Sequence, residues 1–133
     1  MLTAITQEGF KIAFEEAPCP ALLLDCNLTV LACNSAYENA VQKDRAVMLG
    51  RPIFDIFPGS DDQQSEIMRD SYQRVMDSRR PHHISQIQYS VAAQGTHEDR
   101  YWTVSNTPLF DSDDVLRGIL HCAADVTELV QQD

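Results

Sequence analysis

Between Ser60 and Arg80 the chain carries one long amphipathic helix, and almost everything after it, as far as Ala124, reads as strand. Ser60 and Gln63 have the spacing of a capping box, and Asp61 and Asp62 sit where the helix dipole favours acid. Ile67, Met68, Tyr72, Val75 and Met76 share one face, Arg79 and Arg80 fill the last turn, and Pro81 ends it. Strand-like stretches follow at His83 to Val91, Arg100 to Leu109 and Val115 to Ala124, broken at Gln94-Gly95-Thr96 and Asp111-Ser112-Asp113-Asp114. A helix with one apolar face needs a surface to cover it. Consecutive strands with short breaks supply that surface as an antiparallel sheet.

The region before the long helix fits the same plan. Phe10, Ala13, Phe14 and Ala17 recur at the spacing of an amphipathic helix that Gly9 weakens and Pro18 ends. Pro20 to Leu24 and Leu28 to Cys33, separated by Asp25-Cys26-Asn27, predict a β-hairpin, and Asn34 and Ser35 can cap a short helix through Val41. From Arg45 to Phe57 the chain is irregular, with helical fragments broken by Gly50 and Pro52. The order predicts an α+β domain: a five-stranded antiparallel sheet with helices on one face and an amino-terminal amphipathic helix beside it.

Composition narrows the functions. At 133 residues, 44% apolar and 23% charged, the chain suits one globular domain, and its net charge of -10, with no Lys/Arg stripe, excludes nucleic acid as a partner. Its longest apolar stretch, Ala21 to Leu24, is far short of the ~20 residues of a spanning helix, and the start lacks the pattern of a signal peptide. Cys19, Cys26, Cys33 and Cys122 form no CxxC pair and read as free thiols in a reducing, cytoplasmic setting. His82 and His83 point to opposite faces of a strand, and His97 and His121 have no partner ligand at helical spacing, so no metal site is expected. No Ser/His/Asp, Cys/His or paired-carboxylate set stands at a catalytic spacing, and the domain alone is not expected to be an enzyme.

Five segments then fall in a familiar order: Pro20-Ala21-Leu22-Leu23-Leu24-Asp25, Leu28 to Cys33 running into Asn34-Ser35-Ala36, Leu49-Gly50-Arg51-Pro52 through Pro58, Tyr101-Trp102, and Asp125-Val126-Thr127-Glu128. Over nearly its whole length the chain resembles a PAS domain. The resemblance implies a single domain over 1–133, with a flanking helix over 3–17, a core over 18–127 and the start of a connecting helix over 128–133. It also implies a sensory input module of bacterial signal transduction, attached to a histidine kinase, a cyclic-dinucleotide enzyme or a transcription regulator. An output domain is expected beyond the carboxy terminus, a homodimer as the assembly, and a small molecule between sheet and long helix as the signal.

The same comparison bears on cofactors. Light-sensing members need an Asn-Cys pair after the middle Gly-Arg, where this chain has Gly50-Arg51-Pro52-Ile53 and no Cys between positions 34 and 121. A covalent flavin adduct is therefore not expected, and Thr103 in place of the family's flavin-binding amide disfavours any flavin. Haem is disfavoured because the helix from Asp61 to Arg80 offers no histidine. No cofactor is expected. If the light-sensing register transfers, Tyr101, Thr103 and Ser105 face the pocket with Ile119, His121 and Ala123, and a slip of one residue would turn them all outward. Tyr72 on the long helix either reaches a ligand or packs, and His121 is either a ligand contact or a core histidine bonded to a neighbour.

Trp102 and Val104 belong to the opposite strand face in that register, covered by the amino-terminal helix, with its Phe10 and Phe14, or by a second subunit. Asp125 and Thr127 either pass strain from the last strand into the next helix or only cap that helix. Met48, Met68 and Met76 are expected to fill the core, and His82-His83 and Asp111 to Asp114 to be solvated edges or turns. A ligand-free dimerisation module is the competing reading of the whole.

Overall fold

The computed structural model describes residues 6–93 and 96–130. Helix α1 (Gln7–Glu16) starts at Thr6, whose hydroxyl accepts the Gly9 amide at 3.0 Å, and ends before Pro18 as expected. Strands β1 (Ala21–Leu24) and β2 (Val30–Cys33) form the hairpin. Asp25 holds its turn by accepting the amides of Asn27 at 2.8 Å and Thr29 at 2.9 Å. Asn34 is fully buried: it caps α2 (Ser35–Val41) by accepting from Tyr37 N, accepts from Ala21 N as well, and donates to the Cys19 carbonyl. One side chain thus fixes the hairpin, α2 and the chain leading into β1 together. A 3-10 turn (Arg45–Val47) and the short α3 (Ile53–Ile56) fill the irregular middle.

The long helix α4 spans Asp62–Ser78. Its cap differs from the expected Ser60/Gln63 box by one residue. Asp61 accepts the Gln64 amide at 2.9 Å, while the buried Gln64 side chain accepts from Ser60 N and Ser90 N. At the other end Arg79 is not in the last turn; it takes the left-handed cap (φ 61°), with its guanidinium over the Phe110 ring at 4.2 Å. The buried face runs through Gln64, Met68, Ser71, Tyr72 and Val75, a stripe at i, i+4, i+7, i+8, i+11. Ile67 lies a quarter-turn off this stripe and is exposed.

Strands β3 (His82–Ala93), β4 (Thr96–Phe110) and β5 (Leu116–Asp125) complete a five-stranded antiparallel sheet in the order β2-β1-β5-β4-β3. The last strand therefore lies in the middle, between β1 and β4. Gly118 permits this approach, because a Cβ there would lie 2.3 Å from the Leu24 carbonyl oxygen. The core sits between the sheet and α2 to α4, with Leu22, Leu24, Met48, Val75 and Ile119 among its fully buried members. A short helix α5 (Thr127–Val130) leaves the sheet after β5. Residues 94 and 95 of the expected break, 3–5 of the flanking helix and 131–133 of the connecting helix lie outside the described residues.

Candidate functional site

A cavity of about 60 Å³ lies between the sheet and α4. Tyr72 and Met68 come to it from α4, His121 and Ala123 from β5, and Trp102 and Val104 from β4. The β4 residues correct the expected register. Val104 stands opposite Ala123 and Asn106 opposite His121, and residues directly across an antiparallel ladder share a face. Trp102, Val104 and Asn106 therefore point toward α4 and are buried, at 5%, 5% and 0% exposure. Tyr101, Thr103 and Ser105 belong to the other face: Thr103 is exposed opposite Ala124, and Ser105 is half-buried opposite Cys122. Burial decides the register. Trp102 removes a large aromatic from water and satisfies its indole N–H on the Tyr89 carbonyl at 3.3 Å, a gain that facing Thr103 inward would not match.

The polar part of the wall is a chain of side chains. His121 Nδ1 lies 2.7 Å from Asn106 Oδ1, Asn106 Nδ2 donates to Ser71 Oγ at 2.8 Å, and Ser71 Oγ lies 2.7 Å from His82 Nδ1. The chain runs from the cavity to a half-buried histidine on β3, at the edge of an open groove that Glu66, Arg69, Asp70 and Arg74 also line. His82 is thus a network member, not only a solvated edge. Tyr72 Oη lies 3.3 Å from His121 Nδ1, and the two rings are 5.8 Å apart. Burial pushes the His121 imidazole down to about 4, so the ring is neutral near pH 7, and burial raises the Tyr72 phenol well above its ordinary range. Ser71 and Asn106 carried no functional signal in the sequence beyond their place on a helix stripe and a strand face.

At the far end of β4 and β5 the two residues expected to transmit a signal are bonded to the sheet. Thr127 Oγ1 accepts the Tyr101 amide at 2.9 Å and donates to Asp125 Oδ1 at 2.6 Å; Asp125 Oδ1 also accepts the Thr127 amide at 2.9 Å. Arg100 reaches Asp125 Oδ2 at 2.8 Å, and Val126 N donates to the Tyr101 carbonyl at 2.8 Å. Burial acts to raise the Asp125 carboxyl, but the bonds from Thr127 and Arg100 outweigh it and hold it below the ordinary range. Asp125 and Thr127 therefore bond the start of α5 to β4 as well as to each other.

The contact of α1 with the core also differs from expectation. Phe10 is 64% exposed and Phe14 half-buried, while Trp102 and Val104 are on the opposite side of the sheet from the expected contact face. Charge makes the attachment instead. Glu15 receives a bidentate pair from Arg45 at 2.6 Å for each bond and a further bond from the Ser35 hydroxyl, and Arg45 also meets Glu38 at 2.7 Å. The Arg45 bonds, then that of Ser35, hold the Glu15 carboxyl down to about 2. Among the described residues no cluster of His, Cys, Asp or Glu is placed to hold a metal ion, and no helix is long and apolar enough to cross a membrane.

Comparison with known proteins agrees with this architecture. No curated protein sequence matches the chain. A PAS domain from Colwellia psychrerythraea superimposes with a TM-score of 0.73 at 11% identity, covering 91% of this chain and 97% of that one. The PAS domain of Bordetella pertussis BvgS gives 0.67 at 24% identity, covering 93% and 90%. A third, the PAS domain of a LuxR-family transcriptional regulator from Burkholderia thailandensis in complex with ethanol, gives 0.66 at 20% identity, covering 88% and 96%. Likeness at these identities establishes the fold alone. Sequence decides the family, because residues 14–131 match the PAS fold family, and to that family the chain belongs.

Proposed function

We propose that this chain is the sensory module of a signal-transduction protein, taking a small molecule into the cavity between sheet and α4 and passing its presence to α5. The observation that carries the reading is the junction at Tyr101-Trp102. Trp102 lines the cavity, and the backbone of its neighbour Tyr101 is bonded on both sides to Val126 and Thr127 at the start of α5. A ligand that moves the indole has a path of two covalently adjacent residues to the helix that leaves the domain. In this reading the module acts by binding, needs no cofactor, works in the cytoplasm and signals to an output domain elsewhere in a longer protein. Its acidic surface argues against contact with nucleic acid.

The test is a fragment screen by protein-observed NMR. Hits should shift Val104 and Ala123 and extend to Val126 and Thr127. A screen with no cavity hit, or hits whose effects stop short of Val126, would sink the proposal. The freshly purified chain should also be colourless; visible absorption would point to a haem or flavin. A second reading, in which the domain also pairs with a copy of itself, is favoured by Phe10 and Ile12, which α1 leaves 64% and 57% exposed. Sedimentation of Phe10→Glu against the parent chain tests it, since persistence of the same assembly would remove α1 as the contact.

A further inference from the structure

The cavity wall is apolar apart from a few atoms, and those atoms differ in what they can bond. His121 Nδ1 is 2.7 Å from the amide oxygen of Asn106, whose nitrogen is committed to Ser71 Oγ at 2.8 Å. An oxygen there only accepts, so Nδ1 carries the imidazole proton and Nε2 is left as a lone-pair acceptor. Among the described residues no group bonds that Nε2, although His121 is only 6% exposed. Among the described residues no fully enclosed side-chain N or O atom lacks a partner, so the unbonded Nε2 is not sealed in the packing, and the space that His121 lines is the cavity. Tyr72 Oη, 3.3 Å from the same Nδ1, cannot donate to a nitrogen that already bears a proton, and its own hydrogen is available to the cavity. The wall thus offers one donor and one acceptor side by side.

Resting on the reading that this cavity takes a ligand, we propose that the ligand is a small uncharged molecule bearing a hydroxyl, held between Tyr72 Oη and His121 Nε2. A hydroxyl both accepts and donates, so it satisfies both groups at once. A carbonyl satisfies only Tyr72. A carboxylate would be buried without a counter-charge, since among the described residues no Lys or Arg lines the cavity and the imidazole is held neutral by burial. Size agrees: a site for one water needs roughly 10–15 Å³, and this cavity of about 60 Å³ suits a molecule of a few heavy atoms.

The test is an NMR titration of the intact chain near neutral pH with three small probes, each with two methyl groups on one carbon: 2-propanol, acetone and isobutyrate. The alcohol should shift Val104 and Ala123, acetone should bind about threefold to tenfold more weakly, and isobutyrate should not bind. Tyr72→Phe should weaken the alcohol by a similar factor. A long-range proton–nitrogen spectrum of the histidines needs no ligand and should show Nδ1 of His121 protonated and Nε2 bare. Equal binding of acetone and alcohol, binding of isobutyrate, or a proton on Nε2 would overturn the hydroxyl assignment while leaving a ligand-taking cavity. Silence from all three probes would overturn the ligand reading beneath it.

Discussion

His121 Nδ1 and Asn106 Oδ1 stand 2.7 Å apart on neighbouring strands, directly opposite in the β4–β5 ladder. This pair sets the chemistry of the cavity, because it fixes which imidazole nitrogen keeps a proton and locks the ring in place. It also joins the sheet to α4, since Asn106 continues to Ser71 and Ser71 to His82. An apolar core would gain more by simple packing. The buried polar chain instead specifies one register of β4 against β5 and one rotation of α4 over both.

Replacing Asn106 with Leu removes an acceptor from His121 and a donor from Ser71 at a site with no access to water. Leaving buried polar groups unpaired costs ~1–3 kcal/mol each, so the variant should lose about 2–4 kcal/mol in urea unfolding. Loss of under about 0.5 kcal/mol would mean that water reaches the chain freely.

Stability should depend on pH through His121. Burial pushes its imidazole from the ordinary 6.5 of the unfolded chain down to about 4, so the unfolded chain binds the proton first. The contribution of the neutral ring is complete above 6.5 and is lost as pH falls toward 4. Between pH 7 and 5 this amounts to about 2 kcal/mol. Glu15, held down to about 2, falls outside that window. His121→Asn should flatten the slope; an unchanged slope would assign it to another group.

The inward register of β4 is tested by contrasting neighbours. Trp102→Ala opens a cavity in the core and should cost about 3–5 kcal/mol, while Thr103→Val on the exposed face should stay within about 0.5 kcal/mol. Comparable losses at both positions, measured by denaturant unfolding, would contradict the register seen here.

Much of this fold was legible because its signals are local. The period of the α4 stripe, the Asp25 turn, the Asn34 cap and the Pro18 and Pro81 stops each act within a few residues. The light-sensing register turns β4 the wrong way, although the strand's own alternation, Trp102 and Val104 against Thr103 and Ser105, places the apolar pair inside. The other misses depend on partners far away in sequence. Asn106 and Ser71 gained meaning only when β5 and β3 brought His121 and His82 to them. The Glu15–Arg45 pair, spanning α1 and the middle turn, had no periodic signal at all.

Thr127→Val separates transmission from binding. Valine keeps the shape of threonine but removes Oγ1, the acceptor for the Tyr101 amide and the donor to Asp125. The Arg100–Asp125 pair and the Val126-to-Tyr101 bond remain, so the strap is loosened and not abolished. The two lost hydrogen bonds at a half-buried site should together cost about 1–3 kcal/mol, and hydrogen exchange at Tyr101 should quicken. With 2-propanol added, Val104 and Ala123 should shift as in the parent, because the change lies outside the cavity, while the response of Val126 and Glu128 should shrink. If Tyr101 exchange is unchanged, or the distal response survives intact, Thr127 is only a helix cap and the path from cavity to α5 runs elsewhere.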